Sequence, residues 1–144
     1  MNCNSNTVPL IEGDGNNLNC NNGCVPKDIN VICRKIIIPF GQNVLAIQGE
    51  NNSNTRTFIV PKINESGEDL STKTFSILTK NSMGVMEVTE ITNPEILENY
   101  IKIVWNISET NTSQSGTLTV QIQATSTDYV WKTFPAKFVI ADSL

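Results

Sequence analysis

Residues 117–124 read Thr-Leu-Thr-Val-Gln-Ile-Gln-Ala, and this stretch decides the fold class. Leu118, Val120, Ile122 and Ala124 alternate with Thr117, Thr119, Gln121 and Gln123. Successive side chains of a strand point to opposite faces, so a period of two predicts a strand with one face buried and one face in water. The same signal recurs on both sides of it. Ile101, Ile103, Trp105 and Ile107 share one face of 100–108, with Lys102 and Asn106 on the other. Ala136, Phe138 and Ile140 alternate with Lys137 and Val139 in a final strand. Trp131 and Thr133 belong to a strand that enters Pro135, where a residue without an N–H predicts a bulge or break.

Upstream, strands are expected at Val31 to Pro39, Val44 to Gln48, Thr57 to Val60, Thr74 to Thr79 and Val85 to Glu90, all rich in β-branched residues. Turn chemistry separates them, at Gly41-Gln42-Asn43, at 50–54, at Asn64-Glu65-Ser66-Gly67 and at Asn81-Ser82-Met83-Gly84. A single helical turn is expected at Asn93-Pro94-Glu95-Ile96-Leu97-Glu98, where asparagine caps, proline occupies the first position and acidic residues follow. Seven or eight short strands with such turns predict an all-β fold, an antiparallel two-sheet sandwich of immunoglobulin-like architecture, preceded by an irregular N-terminal arm. The Cys, Trp, Cys spacing of true immunoglobulin domains is missing, because no cysteine follows Cys33. Trp105 and Trp131 read as core anchors.

A compositional boundary falls near Asn30. Nine of the first thirty residues are asparagine, and Cys3, Cys20, Cys24 and Cys33 all precede residue 34. Residues 1–30 therefore read as an Asn- and Cys-rich arm and residues 31–144 as the sandwich. Such an arm is either a loose tail or a segment that docks on a partner. In the docking reading its contacts come from Val8, Pro9, Leu10, Ile11 and Leu18, the larger apolar residues among the amides. Four cysteines allow a zinc site built on Cys20-x3-Cys24, two disulfides, or reduced thiols with Cys33 buried in the first strand. Glu12-Gly13-Asp14-Gly15-Asn16 resembles the start of a calcium loop, but position five counted from Asp14 is Leu18, so the register fails.

Composition narrows function. The chain has 144 residues, a net charge of -4 and 17% charged residues, the opposite of a basic nucleic-acid footprint. It has no histidine, the commonest general base and metal ligand. The fourteen acidic residues are scattered over turns and strand ends and select no catalytic pair, and no phosphate-binding glycine loop or serine elbow is present. No apolar run approaches the roughly 20 residues of a membrane helix, and the first residues lack the charged and apolar regions of a signal peptide. The sequons at Asn51, Asn64, Asn106 and Asn111 then have no route to glycosylation. The expectation is a non-enzyme without cofactor, with no nucleic-acid or membrane partner.

The sequence also carries a diffuse pattern: Gly49 then Arg56-Thr57-Phe58, Asp69-Leu70-Ser71 then Phe75-Ser76-Ile77, Gly84, Ile103-Val104-Trp105-Asn106-Ile107, 116–122, Trp131-Lys132-Thr133 and Phe138-Val139-Ile140. It resembles the amino-terminal domain of phage baseplate upper proteins and the immunoglobulin-like modules of phage fibres. The resemblance implies a small sandwich that docks a fibre or receptor-binding component onto the virion, usually as a homotrimer, with no catalytic residues. Members of that family usually continue into a stalk, whereas here the last strand ends the sequence and an Asn-rich arm precedes the domain. The expectation is a virion structural accessory, a head-fibre, capsid decoration, connector or baseplate protein, whose partners are capsid or tail subunits and whose location is the assembled bacteriophage. The alternative is a carbohydrate-binding module or surface adhesin using Tyr100, Tyr129 and Trp131 as its platform.

Overall fold

The computed structural model describes residues 26–144. Among the described residues eleven strands form two sheets: β1 (Ile29–Ile32), β2 (Lys35–Ile37), β3 (Val44–Ile47), β4 (Thr55–Pro61), β5 (Thr74–Lys80), β6 (Met86–Ile91), β7 (Glu95–Ile96), β8 (Tyr100–Asn106), β9 (Gly116–Ser126), β10 (Tyr129–Lys132) and β11 (Ala136–Ala141). The first sheet runs β2-β1-β4-β8-β7, and the second runs β3-β11-β9-β5-β6 with β10 also paired to β9. The fold is all-β, and the inward side chains of both sheets meet in one core that contains Phe58, Phe75, Trp105, Ile122, Trp131 and Phe138. Period two holds where the sequence showed it: Leu118, Val120, Ile122 and Ala124 are all buried on β9, and both tryptophans are core residues, 0% and 1% exposed.

Four features depart from the sequence reading. The strand expected over Val31 to Pro39 is a hairpin: β1 and β2 pair antiparallel, with Ile32 opposite Lys35. The two turn residues, Cys33 and Arg34, both have positive φ, 51° and 69°. A two-residue turn of that kind matches the right-handed twist of its strands but favours Asn-Gly, so Cys-Arg gives no local signal of it. The strand count rises accordingly. Two pairings are parallel, β1 with β4 and β3 with β11, so the sheets are mixed rather than wholly antiparallel.

The helix expected at 93–98 is instead strand β7, with Ile96 paired to Ile101 and the Leu97 N–H donating to the Tyr100 carbonyl at 2.9 Å. Six residues are too few to sustain a helix without tertiary support, and the edge of β8 offers a ladder instead. A helical turn lies at Glu109–Thr112, capped by the Ser108 hydroxyl, which accepts from the Asn111 N–H at 3.3 Å. The break expected at Pro135 separates β10 from β11, and Thr133 fills it by donating its N–H to the Ile122 carbonyl and accepting from the Ile122 N–H with its hydroxyl.

Two of the buried side chains with polar atoms, Arg56 and Trp105, face each other between β4 and β8. Arg56 is in phase with Phe58 and Val60 on the buried face of β4 and is only 6% exposed. Its guanidinium donates to the carbonyls of Thr55 (2.9 Å) and Val44 (3.0 Å), tying β4 of one sheet to β3 of the other. Burial lowers its pKa. Trp105 stands directly opposite Arg56 across the β4–β8 ladder. Arg56 Nε and Trp105 Nε1 both lack an acceptor among the described residues.

Candidate functional site

One end of the sandwich gathers residues that are remote in sequence. The β1–β2 turn, the 62–73 connection between β4 and β5, and the start of β10 meet there. Asn64 organises the connection: its side-chain oxygen accepts from the N–H groups of Ser66 (2.9 Å) and Glu68 (3.0 Å), which folds the loop back on itself. Its amide nitrogen donates to the Tyr129 hydroxyl at 2.9 Å. The folded loop carries Glu65 outward to two donors. Arg34 Nε donates to Glu65 Oε2 at 2.6 Å, and the buried Trp131 Nε1 donates to the same oxygen at 3.1 Å.

Arg34 is held from a second direction, because its carbonyl accepts from the Phe134 N–H at 2.7 Å. These bonds explain how Cys33 and Arg34 stay in the left-handed region, where side-chain-bearing residues cost of order 1 kcal/mol each. Burial raises the Glu65 pKa, but the hydrogen bonds from Arg34, from its own backbone and from Trp131, together with the charge of Arg34, outweigh burial and hold it below the ordinary glutamate value. Beside this cluster, Lys73 Nζ lies 4.4 Å from the centre of the Tyr129 ring and 2.8 Å from Glu68 Oε2. Lys73 has only 9% of its side chain exposed, so its stem is packed and the ammonium covers the ring face.

A groove of about 270 Å³ opens between the end of β6 and β8. It is lined by Thr89, Glu90, Ile91, Thr92, Asn93, Val104 and Asn106. The groove exists because β7 covers β8 only at Ile101 and Lys102, leaving Val104 and Asn106 beyond its reach. Its only ionisable lining group is Glu90, so it holds no pair of groups able to pass a proton between them.

The residues singled out in the sequence fall in different places. Tyr100, Tyr129 and Trp131 do not form one exposed surface. Tyr100 sits on the first sheet, while Tyr129 and Trp131 sit on the second. Trp131 is 1% exposed and spends its N–H on Glu65, and Lys73 covers the ring of Tyr129. Cys33 is exposed at the hairpin turn rather than buried in a strand, because the chain reverses at that point. Cys3, Cys20, Cys24, Val8, Pro9, Leu10, Ile11 and Leu18 lie outside the described residues. Among the described residues no group of three or more Cys, Asp or Glu converges as a metal site, and no helix is long and apolar enough to cross a membrane. Sequence reasoning missed Arg34, Asn64, Glu65 and Lys73. Only Asn64-Glu65-Ser66-Gly67 carried a signal, as a turn.

No family model matches the chain, and no curated protein matches it. The arrangement itself is therefore the guide: a network of charge and aromatic groups that fixes three chain segments at one end of a closed sandwich.

Proposed function

We propose that the protein is a bacteriophage virion structural protein, a head-fibre, decoration, connector or baseplate accessory. Its N-terminal arm, with Val8, Pro9, Leu10, Ile11 and Leu18, attaches to a capsid or tail subunit, and its sandwich is a rigid presented module. Homotrimerisation belongs to this reading through the family resemblance. The finer fold assignment, an immunoglobulin-like sandwich, belongs to it too. What supports that assignment is strand order: β4, β8 and β7 follow the B-E-D order of one immunoglobulin sheet, and β5, β9 and β11 follow C-F-G of the other.

The observation that carries the functional reading is a contrast between the interior and the surface. The core is closed by large side chains, among them Phe58, Phe75, Trp105, Trp131 and Phe138, each no more than 1% exposed. The sheet faces and edges, in contrast, expose Ile32, Ile37, Val44, Ile47, Met86, Val88 and Val104. Exposed apolar side chains set on rigid strands favour contact with other proteins. The ladder also gives the module a polarity. β1 runs parallel to β4, with Ile29 beside Phe58, and ends at the Arg34 turn of the braced cluster. An arm of some 30 residues can span up to about 100 Å when extended and so reach across a neighbouring subunit.

The test is co-purification. Particles recovered from the source that encodes the chain should contain it after density-gradient banding. A chain found only in the soluble fraction would refute the proposal.

A further inference from the structure

Strands β2 and β7 end the first sheet, and β3 and β6 end the second. Natural edges are blunted by shortness, by lysine or proline, or by bulges. Strand β2 has three residues and begins with Lys35, β7 has two residues, and β3 has four and pairs β11 across a register shift. Of such protections strand β6 has only its two carboxylates, Glu87 and Glu90. It is six residues long, contains neither lysine nor proline, and pairs β5 in unbroken register. Met86 and Val88 are 66% and 64% exposed, and Met83 and Val85 at its leading turn are 71% and 52% exposed.

The ladder fixes which backbone groups are free. The Asn81 N–H donates to the Val85 carbonyl at 3.0 Å. Along an antiparallel strand the backbone groups of successive residues turn to alternate sides. Odd-numbered residues of β6 therefore face β5, and Met86, Val88 and Glu90 present N–H and C=O groups to the open edge. We propose that β6 is a self-association edge, on which a second copy of this chain pairs antiparallel about a two-fold axis at Val88.

Charge and parity select that register. A second strand must set even-numbered residues opposite even-numbered ones. With Val88 at the axis, Met86 stands opposite Glu90 and Glu87 opposite Thr89, so no carboxylate opposes another. Axes at Glu87 or Glu90 would set like carboxylates face to face, which destabilises a ladder. An axis at Thr89 leaves Met86 outside the pairing, and one at Met86 draws in the turn. The Val88 register also brings Val85 opposite Ile91, an apolar pair at each end. About six backbone hydrogen bonds form, and the second sheets of two copies join into one. The contact is isologous, so it closes as a dimer. It does not involve the N-terminal arm, so it stands or falls separately from attachment to a particle, but it takes the place of the homotrimer as the assembly of the free chain.

Sedimentation velocity of the full chain from roughly 1 to 500 µM tests this. The expected result is a monomer–dimer equilibrium, with the amides of Met86, Val88 and Glu90 gaining protection from hydrogen exchange as concentration rises. Val88→Lys should weaken the dimer at least 10-fold. Val88→Pro should do the same while leaving the β5 ladder whole, because the N–H it removes points to the open edge. A monomer throughout the range would overturn the proposal. So would a dimer or trimer that survives both Val88 variants, or one that is lost instead when Val8, Leu10 and Ile11 are changed to Asp.

Discussion

Glu65 is where the account is most open to attack, because one carboxylate oxygen is asked to hold three chain segments. Glu65→Gln keeps an oxygen for the Trp131 N–H and removes the charge that faces Arg34. That ion pair has 41% of the Arg34 side chain and 30% of the Glu65 side chain exposed, so after solvent screening it is worth about 0.5–1 kcal/mol. Glu65→Ala removes the shared acceptor and leaves the buried Trp131 N–H unpaired, which adds about 1–3 kcal/mol. The expected loss is therefore about 0.5–1 kcal/mol for the Gln variant and about 1.5–4 kcal/mol for the Ala variant. The assay is urea unfolding followed by tryptophan fluorescence.

The charge-dependent part also has a sign in pH. The folded pKa of Glu65 lies below its ordinary value, so its contribution is complete above the unfolded carboxylate range and fades as pH falls through the depressed folded value. The wild-type advantage over Glu65→Gln should be constant near neutrality and decline as pH falls through the carboxylate range. Equal losses for the Gln and Ala variants, or a Gln penalty unchanged on acidification, would refute the network.

Other substitutions probe separate links. Arg56→Ala should cost about 2–4 kcal/mol by opening a cavity and cutting the β3–β4 tie, whereas Arg56→Met fills the space without a buried charge and should stay within about 1.5 kcal/mol of wild type in urea melts. Equal losses would mean that the guanidinium's hydrogen bonds dominate. Gly116 has φ +110° and a Cβ there would lie 3.1 Å from Ser82 Cβ. Gly116→Ala should therefore lower stability by about 1–3 kcal/mol, measured by thermal unfolding. Cys33→Asn suits the left-handed turn and should stabilise the β1–β2 hairpin by a few tenths of a kcal/mol, up to about 1. A loss there would show that the thiol has a contact of its own.

Much of the fold was legible because it is local. The period of β9, β8 and β11 reads directly from their side chains, and the turns at Gly67 and Gly84 announce themselves with residues that accept positive φ. The rest depends on partners distant in sequence. Nothing in Cys33-Arg34 announces a hairpin, since Phe134 and Glu65 are what hold it. The parallel pairings join β1 to β4 and β3 to β11 with no hairpin between them, so no turn chemistry marks them. Asn93-Pro94-Glu95 caps a helix on paper, yet the open edge of β8 captures it. Arg56 sat in phase with Phe58 and Val60 all along; a charge at an inward position hid the first turn of that strand. The braced cluster was the least legible part, because it joins Arg34, Glu65 and Trp131 across separations of 31 and 66 residues.

The central claim is that the sandwich works by being fastened to a particle. Its most direct measurement compares the full chain with a full chain carrying Val8→Asp, Leu10→Asp and Ile11→Asp, each tagged at the C-terminus and expressed during particle assembly. Gradient-banded particles should carry the first and lack the second, while both chains melt at the same temperature. If both variants band with particles, or neither does, the arm is not the attachment and the account fails.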